Sequence, residues 1–147
     1  MKKILRLLIA PFLMSLASPA ASPAKLFVAV NSDKTAYKCG EPMAFALTVL
    51  NTNTAAGNFG FNSSKRYDFF LYDADQLVWK WSEGRFFNQA LANLTLDPQI
   101  PLTYIIIFNQ VLSSGSAIGP GHYQLKGAFC TREQEYLSDP IDIEISN

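Results

Sequence analysis

Residues 67–82 contain the pattern that most narrows the range of folds open to this chain. Two runs rich in aromatic and β-branched residues, 67–72 and 77–82, flank a polar tetrad that begins at Asp73 and ends at Gln76. Such runs are typical of strands, and a short polar segment between them is typical of a tight turn. The pattern therefore predicts two antiparallel strands joined as a hairpin.

Short apolar or alternating runs recur along the rest of the chain, separated by residues that favour turns. Candidate strands lie at residues 26–30, 43–51, 94–96, 102–108, 123–130 and 141–145. No long segment has helical periodicity, and only one helical turn is expected, within 85–92. The continuously apolar run 102–108 predicts a strand buried on both faces. Together the runs predict an all-β fold, an immunoglobulin-like antiparallel β-sandwich of about seven to nine strands.

Tyr123 stands at the start of one of the last predicted strands, directly after Gly121 and His122. This is the position of the tyrosine corner in immunoglobulin-like sandwiches, where the tyrosine hydroxyl bonds to backbone a few residues upstream. The sequence therefore predicts such a hydrogen bond at Tyr123.

The first 24 residues have the composition of a secretory signal peptide. Basic residues precede the apolar run 7–16, and small residues and prolines follow it. Pro11 interrupts this run, which is shorter than the roughly 20 apolar residues that a membrane-spanning helix needs. We therefore expect residues 1–24 to be removed and residues 25–147 to form a single domain. The protein is then secreted or periplasmic, without membrane insertion after cleavage.

The charge and residue types of the chain after residue 24 argue against several classes of function. Nine Lys and Arg stand against twelve Asp and Glu, so the net charge is −3 with His122 neutral. No basic cluster offsets this, which disfavours nucleic acid as a partner. His122 is the only histidine, and Asp73 and Asp75 lack the other ligands of a calcium loop, so we expect no metal and no cofactor. No catalytic triad, phosphate loop or dinucleotide motif occurs, so we expect no enzymatic activity.

Cys39 and Cys130 are the only cysteines, and two arguments about them disagree. An even number of cysteines in an oxidising compartment predicts a disulfide. In the predicted sandwich, however, Cys39 precedes an early strand and Cys130 ends a late strand that runs roughly parallel to it. The two residues would then lie near opposite ends, beyond the ~7 Å between Cα atoms that a disulfide allows. A Cys39–Cys130 bond stays an open alternative.

Four short motifs follow one another in order along the chain. They are Phe45-x-Leu47-x-Val49-x-Asn51, Phe86-Phe87-Asn88-Gln89-Ala90 after the hairpin, Leu96-x-Pro98 with Tyr104, and Gly119-Pro120-Gly121-x-Tyr123-x-Leu125-x-Gly127. With the hairpin they resemble the bacterial intracellular proteinase inhibitor family of the BsuPI type, over about residues 27–145. One departure is Gln99, which stands where that family usually has a turn glycine and predicts a turn of another type or length. A second departure is the leader, because the family's name describes an inhibitor of a cytosolic protease.

The resemblance implies a proteinase inhibitor that blocks a serine protease non-covalently. Such an inhibitor needs a stiff exposed loop that adds to the enzyme's cleft like a strand, while one side chain fills the specificity pocket. The loops 51–65 and 109–121 offer, as protease-contact residues, Phe59, Phe61, Leu112 and Ile118. The alternative for the aromatic residues is that they fold back over the sheet.

A second hypothesis is a non-catalytic envelope module that binds protein or glycan on the same fold and inhibits nothing. Leu77, Trp79 and Trp81 share one face of a predicted strand. If that face were exposed, its rings would suit stacking against a sugar or a peptide. A tryptophan in the core is the commoner finding in immunoglobulin-like sandwiches, so we expect at least one of the two to be buried.

Overall fold

Eleven strands and no helix make up residues 25–147, the part of the chain that this computed structural model describes. They are β1 (Leu26–Ser32), β2 (Ala36–Lys38), β3 (Met43–Asn51), β4 (Gly57–Phe61), β5 (Tyr67–Asp73), β6 (Gln76–Lys80), β7 (Ala92–Leu96), β8 (Leu102–Phe108), β9 (Gly121–Cys130), β10 (Glu135–Leu137) and β11 (Ile141–Ser146). The all-β sandwich is confirmed. The predicted number of seven to nine strands is too low, because β2, β4 and β10 are short strands within segments predicted to be loops or turns. The predicted leader, residues 1–24, lies outside the described residues.

The strands form two larger sheets and one separate pair. One sheet has the order β1-β3-β8, and the second has the order β2-β11-β9-β5-β6 with β10 paired to β9. The separate pair is β4-β7. Every pairing between these strands is antiparallel except that of β2 with β11, which is parallel. Within residues 25–147, no helix is long and apolar enough to cross a membrane.

The core lies between the inner faces of the two larger sheets. In β3 every second side chain is buried, which is the period of two expected for a strand with one face against the core. The ring centroid of Phe45 in β3 lies 6.2 Å from that of Phe69 in β5. A Cβ atom added at Gly127 in β9 would lie only 2.4 Å from Leu47 Cδ1 in β3. The sheets thus pack closely enough at this point to require a glycine.

The structure corrects the prediction for residues 102–108. Ile105 and Ile107 of β8 have exposed fractions of 67% and 58%, whereas Ile106 and Phe108 are buried. β8 is the last strand of its sheet, and only its inner face has another sheet to pack against. The run is therefore apolar on both faces but buried on one.

Three local predictions can be compared directly with the structure. The hairpin is present as β5 and β6, with Ala74 at a φ of 50° in its turn. The hydroxyl of Tyr123 donates a hydrogen bond to the carbonyl oxygen of Gly119 at 2.6 Å, as predicted for a tyrosine corner. Gln99 has a φ of 60°, in the left-handed region that favours glycine. This position therefore keeps the backbone conformation that a turn glycine would adopt, although its side chain differs.

Candidate functional site

Residues 85–91 cross the surface between β6 and β7 without regular secondary structure. The helical turn predicted within 85–92 is wrong, since the turn lies earlier, at residues 81–84. Two large apolar side chains stand out from this segment: Phe86 has an exposed fraction of 101% and Leu91 of 75%. Single exposed apolar residues are common on protein surfaces. Whether the exposed Phe86 is suited to binding a partner therefore depends on how firmly the backbone around it is held.

Trp81 holds the residues on either side of Phe86. The guanidinium carbon of Arg85 lies 4.5 Å from the centroid of the Trp81 ring, and its Nε donates a hydrogen bond to the Trp81 carbonyl at 2.8 Å. The ring of Phe87 packs on the same indole, with 5.9 Å between centroids. Consecutive side chains point in opposite directions along an extended chain. Because Arg85 and Phe87 both turn towards Trp81, Phe86 between them is directed into solvent.

A series of stacked rings fixes Trp81 to the core. The ring centroid of Trp81 lies 4.6 Å from that of Tyr67, and the ring centroid of Tyr67 lies 4.5 Å from that of Tyr104. Tyr104 in turn stacks on the fully buried Phe129 at 6.5 Å. Aromatic pairs of this kind contribute about 0.5–1.5 kcal/mol each beyond the area they bury. The first residues of segment 85–91 are thereby attached to the centre of the sandwich.

A second attachment holds the segment at Asn88. The N–H of Ser64 donates to the Asn88 carbonyl at 2.8 Å, and the N–H of Asn88 donates to Ser64 Oγ at 3.0 Å. By contrast, the backbone N–H groups of Phe86 and Phe87 donate no hydrogen bond to any group within residues 25–147. A backbone fixed on both sides of unused donors is suited to adding to a strand of another protein.

The buried carboxylate of Asp68 fixes the turn that precedes the segment. Its Oδ1 accepts a hydrogen bond from the Ser82 N–H at 3.0 Å, and its Oδ2 accepts one from Ser82 Oγ at 2.6 Å. The Nζ atoms of Lys65 and Lys80 lie 2.5 and 3.8 Å from the same Oδ2. Burial by itself would lower the pKa of Lys65, but the hydrogen bond and charge of Asp68 outweigh it and the pKa is raised. These partners replace water around a charge that has no solvent contact.

The structure corrects the predicted protease contacts at three of the four residues. Phe59 and Phe61 belong to β4 and have exposed fractions of 5% and 1%, and Ile118 is also buried. The rings of Phe59 and Phe61 pack against Phe129 at 6.1 and 5.6 Å. A buried side chain cannot fill the pocket of another protein unless its surroundings unfold. The two aromatics instead fold back over the sheet, and Leu112 is half-buried against the core.

The second predicted surface is not a continuous exposed face. Trp79 is buried, and its ring centroid lies 4.2 Å from that of Phe108 in the core. Trp81 is partly covered by the contacts with Tyr67 and Arg85 described above. Of the predicted face, Leu77 alone is well exposed. One tryptophan is thus buried, as the fold class leads us to expect.

Cys39 and Cys130 are free thiols that lie at opposite ends of β9. The Cys39 N–H donates to the carbonyl of Ser146, beside the end of β9 that begins at Gly121. Cys130 ends the same strand nine residues later, a separation of about 30 Å at ~3.3 Å per residue. The disulfide considered from the sequence is therefore excluded by distance, and the argument from strand order is the correct one.

Cys130 is expected to react far more slowly with iodoacetamide than Cys39 does. Burial raises the pKa of the Cys130 thiol from 9.0 to about 12, so very little reactive thiolate forms at pH 8. Cys39 is exposed. Mass spectrometry should detect modification at Cys39 alone in the folded protein and at both residues in urea. Equal rates in the folded protein would contradict this arrangement.

The same raised pKa of Cys130 has a consequence for stability. A thiol that is harder to ionise when folded contributes stability that is fully present below about pH 9 and is lost as the pH rises towards 12.

An open cleft of about 670 Å³ lies at the turn of the hairpin. Its lining residues are Asp73, Ala74, Asp75, His122, Tyr123, Gln124 and Asp142. In the part of the chain that the structure describes, no group of three or more His, Cys, Asp or Glu side chains is arranged to hold a metal ion. The cleft therefore has no ligand set of that kind.

Solved structures with a similar fold come from unrelated functional settings. Spo0M, a sporulation control protein from Bacillus subtilis, is 14% identical, and the match covers 86% of this chain and 51% of that chain with a TM-score of 0.52. A β-glucosidase from Erythrobacter marinus is 11% identical, with 84% of this chain and 16% of that chain covered and a TM-score of 0.50. This chain thus spans about half of Spo0M and about a sixth of the β-glucosidase. At these identities the likeness shows the fold alone.

A family-level sequence comparison is more specific. No curated protein matches the sequence, but the profile described as "Intracellular proteinase inhibitor", BsuPI, matches residues 30–134. The matched part begins in β1 and ends directly before β10, so it includes the hairpin and the whole of segment 85–91. On this match, which covers more than half of the sequence, the chain belongs to the BsuPI family of intracellular proteinase inhibitors.

Proposed function

We propose that this protein is a secreted or periplasmic inhibitor that blocks a serine protease non-covalently through segment 85–91. Membership of the family supports proteinase inhibition in general terms. The observation that carries the finer proposal is a fully exposed Phe86 on a backbone attached at Trp81 and at Ser64. The proposal includes a removed leader, residues 1–24, and a single domain, residues 25–147. A protease is the partner.

The attachment of the segment favours tight binding for an energetic reason. Each flexible side chain that becomes ordered in a complex costs about 0.5–1.5 kcal/mol. Arg85, Phe87 and the backbone of Asn88 are already ordered by their contacts in the free protein. The unused N–H groups of Phe86 and Phe87 remain for hydrogen bonds to the enzyme. Segment 85–91 thus has the properties that were expected of loops 51–65 and 109–121.

In this proposal, loop 109–121 lies beside the enzyme that binds segment 85–91. Ser113 Oγ at its tip donates a hydrogen bond to Glu83 Oε2 at 3.3 Å, within the turn that leads into segment 85–91. An enzyme seated on the segment would therefore lie near this loop, and the half-buried Leu112 would flank the contact.

A non-catalytic envelope module remains the second candidate function. Its predicted binding face retains Leu77 as an exposed apolar side chain, while Trp79 is buried in the core. This face is therefore smaller and less aromatic than a stacking platform requires. It receives less support than the inhibitor does.

Titration of the purified protein against a panel of proteases tests the proposal. We expect saturable inhibition of at least one serine protease, with the inhibitor left uncleaved on a gel. Replacing Ser64 by alanine removes the acceptor of the Asn88 N–H, and the loss of one hydrogen bond worth about 1 kcal/mol should raise the inhibition constant about fivefold.

Thr35→Ala is the matched control, because Thr35 is exposed, lies outside segment 85–91 and loop 109–121, and its hydroxyl makes no hydrogen bond to the described residues. We expect this variant to inhibit as the wild type does. A folded wild-type protein that leaves every serine protease of the panel active would refute the proposed function.

A further inference from the structure

Phe86 is the side chain that segment 85–91 presents to a partner, and its chemistry restricts what that partner is. We propose that Phe86 is the specificity residue of this inhibitor, and that its ring enters the pocket of a protease that selects large apolar side chains. This inference rests on the proposed function and adds to it the class of target enzyme. The complex is non-covalent, and the peptide bond after Phe86 stays intact.

The exposure of Phe86 is the first observation behind this assignment. No other large apolar side chain in residues 25–147 is as exposed as this one, and its ring contacts no other aromatic ring there. Burial of a Phe side chain is favourable in free energy, because it removes a large apolar surface from water. Phe86 gives up no such contact in the free protein, so nearly all of that free energy is available for binding. The ring of the neighbouring Phe87, by contrast, already packs against Trp81 in the free protein.

The direction of Phe86 is the second observation. Because Arg85 and Phe87 are held on Trp81 and Asn88 is held by Ser64, the backbone on both sides of Phe86 is fixed. Only the rotation of the Phe86 side chain itself remains to be restricted on binding. A pocket that receives this ring also meets the free backbone N–H groups of residues 86 and 87. Side chain and backbone are thus presented together, as strand-like recognition requires.

The lack of charge in the segment is the third observation. Residues 86–91 contain no Asp, Glu, Lys or Arg, and the guanidinium of the adjacent Arg85 is bound to Trp81. A pocket that selects Lys or Arg carries a carboxylate, which a phenyl ring would leave buried and unpaired at a high cost in free energy. A shallow pocket would not admit the ring. The class that fits is a protease that cleaves after aromatic or large aliphatic residues.

Inhibition constants of three forms of the purified protein test the assignment: the wild type, Phe86→Ala and Phe86→Arg. The enzymes are a chymotrypsin-like and a subtilisin-like protease with apolar pockets, and a trypsin-like protease with an acidic pocket. We expect the wild type to inhibit the first two. Loss of an interface anchor costs at least about 2 kcal/mol, so Phe86→Ala should raise those constants about 30-fold or more. Phe86→Arg should shift inhibition towards the trypsin-like enzyme.

Phe27→Ala is the matched control, because Phe27 in β1 is also an exposed phenylalanine but lies outside the segment. We expect its inhibition constants, and the unfolding temperatures of all variants, to equal those of the wild type. Wild-type inhibition that Phe86→Ala leaves unchanged, or that is selective for the trypsin-like enzyme, overturns the assignment of Phe86 and leaves the proposed function standing. A folded wild type that inhibits none of the enzymes overturns both.

Discussion

Replacing Asp68 by alanine is expected to destabilise the protein by about 3–5 kcal/mol, the usual cost of breaking a buried ion pair from one side. The carboxylate is fully buried, and it accepts two hydrogen bonds from Ser82. Without it, the ammonium group of Lys65 loses its closest anionic partner, and the Ser82 N–H loses its acceptor. Urea unfolding followed by tryptophan fluorescence measures the loss, because Trp79 and Trp81 both lie near this region.

Asp75→Ala is the matched control for Asp68→Ala. Asp75 lies in the exposed turn of the hairpin, where substitutions usually change stability by less than about 0.5 kcal/mol. Similar unfolding midpoints for the two variants would contradict the role given to Asp68. We also expect Asp68→Ala to weaken protease inhibition even where it is folded, because the turn at residues 81–84 loses the two hydrogen bonds that attach Ser82 to Asp68 in β5.

The contribution of Lys65 to this ion pair has a defined pH dependence. Its pKa is raised in the folded protein above the ordinary value of 10.5. The stabilisation is therefore fully present below pH 10.5 and is lost as the pH rises through the raised folded-state pKa. The difference in stability between the wild type and Asp68→Ala should accordingly shrink in that alkaline range.

Replacing Gln110 by alanine is expected to lower the free energy of unfolding by about 2–4 kcal/mol. Three partly buried backbone groups would lose their hydrogen-bond partner, at a cost of about 1–3 kcal/mol for each group that water does not reach. The Gln110 Nε2 donates to the carbonyl oxygens of Lys38 and Glu41 at 2.8 and 2.9 Å. Its Oε1 accepts from the Gly40 N–H at 3.0 Å. One buried amide thus makes three of the hydrogen bonds that hold the turn between β2 and β3.

Thermal unfolding and amide hydrogen exchange test the role of Gln110. The unfolding temperature should fall, and exchange at Gly40 should accelerate more than exchange in the central strand β9. Gln124→Ala is the matched control, because Gln124 is an exposed residue of β9. If the two variants unfold at the same temperature, the turn does not depend on Gln110.

Strand positions could be predicted because alternation of side chains is a local property of the chain. The inward-facing residues of β3 and β11 are those that a period of two selects. The hairpin and the hydrogen bond of Tyr123 were predictable for the same reason, since a turn and its flanking strands lie within a few residues. The family could be inferred from motifs alone, as the later match to residues 30–134 confirmed.

Predictions failed where burial depends on partners that are distant in sequence. The run of β8 is apolar on both faces, and Ile105 is exposed because the outer face of β8 has no second sheet to pack against. Phe59 lies in a segment rich in Gly, Asn and Ser that was predicted to be a loop, yet pairing with β7 makes it a strand. Nothing in the sequence indicated that the Gln110 amide is buried and hydrogen-bonded, because its partners are about 70 residues away.

The sequence by itself determined the fold class, the hairpin and the family, because these follow from short-range patterns of apolar residues and turns. Such patterns do not predict which of Phe86 and Phe87 is exposed, because the two residues are identical neighbours in a segment without regular secondary structure. Only the tertiary structure decided that Phe87 packs on Trp81 while Phe86 remains in solvent. The physical reason is that the ring series from Phe129 to Trp81 and the bond from Ser64 are assembled from strands β9, β8 and β5, the turn at residues 81–84 and the loop before β5, so the exposure of Phe86 is a property of their packing.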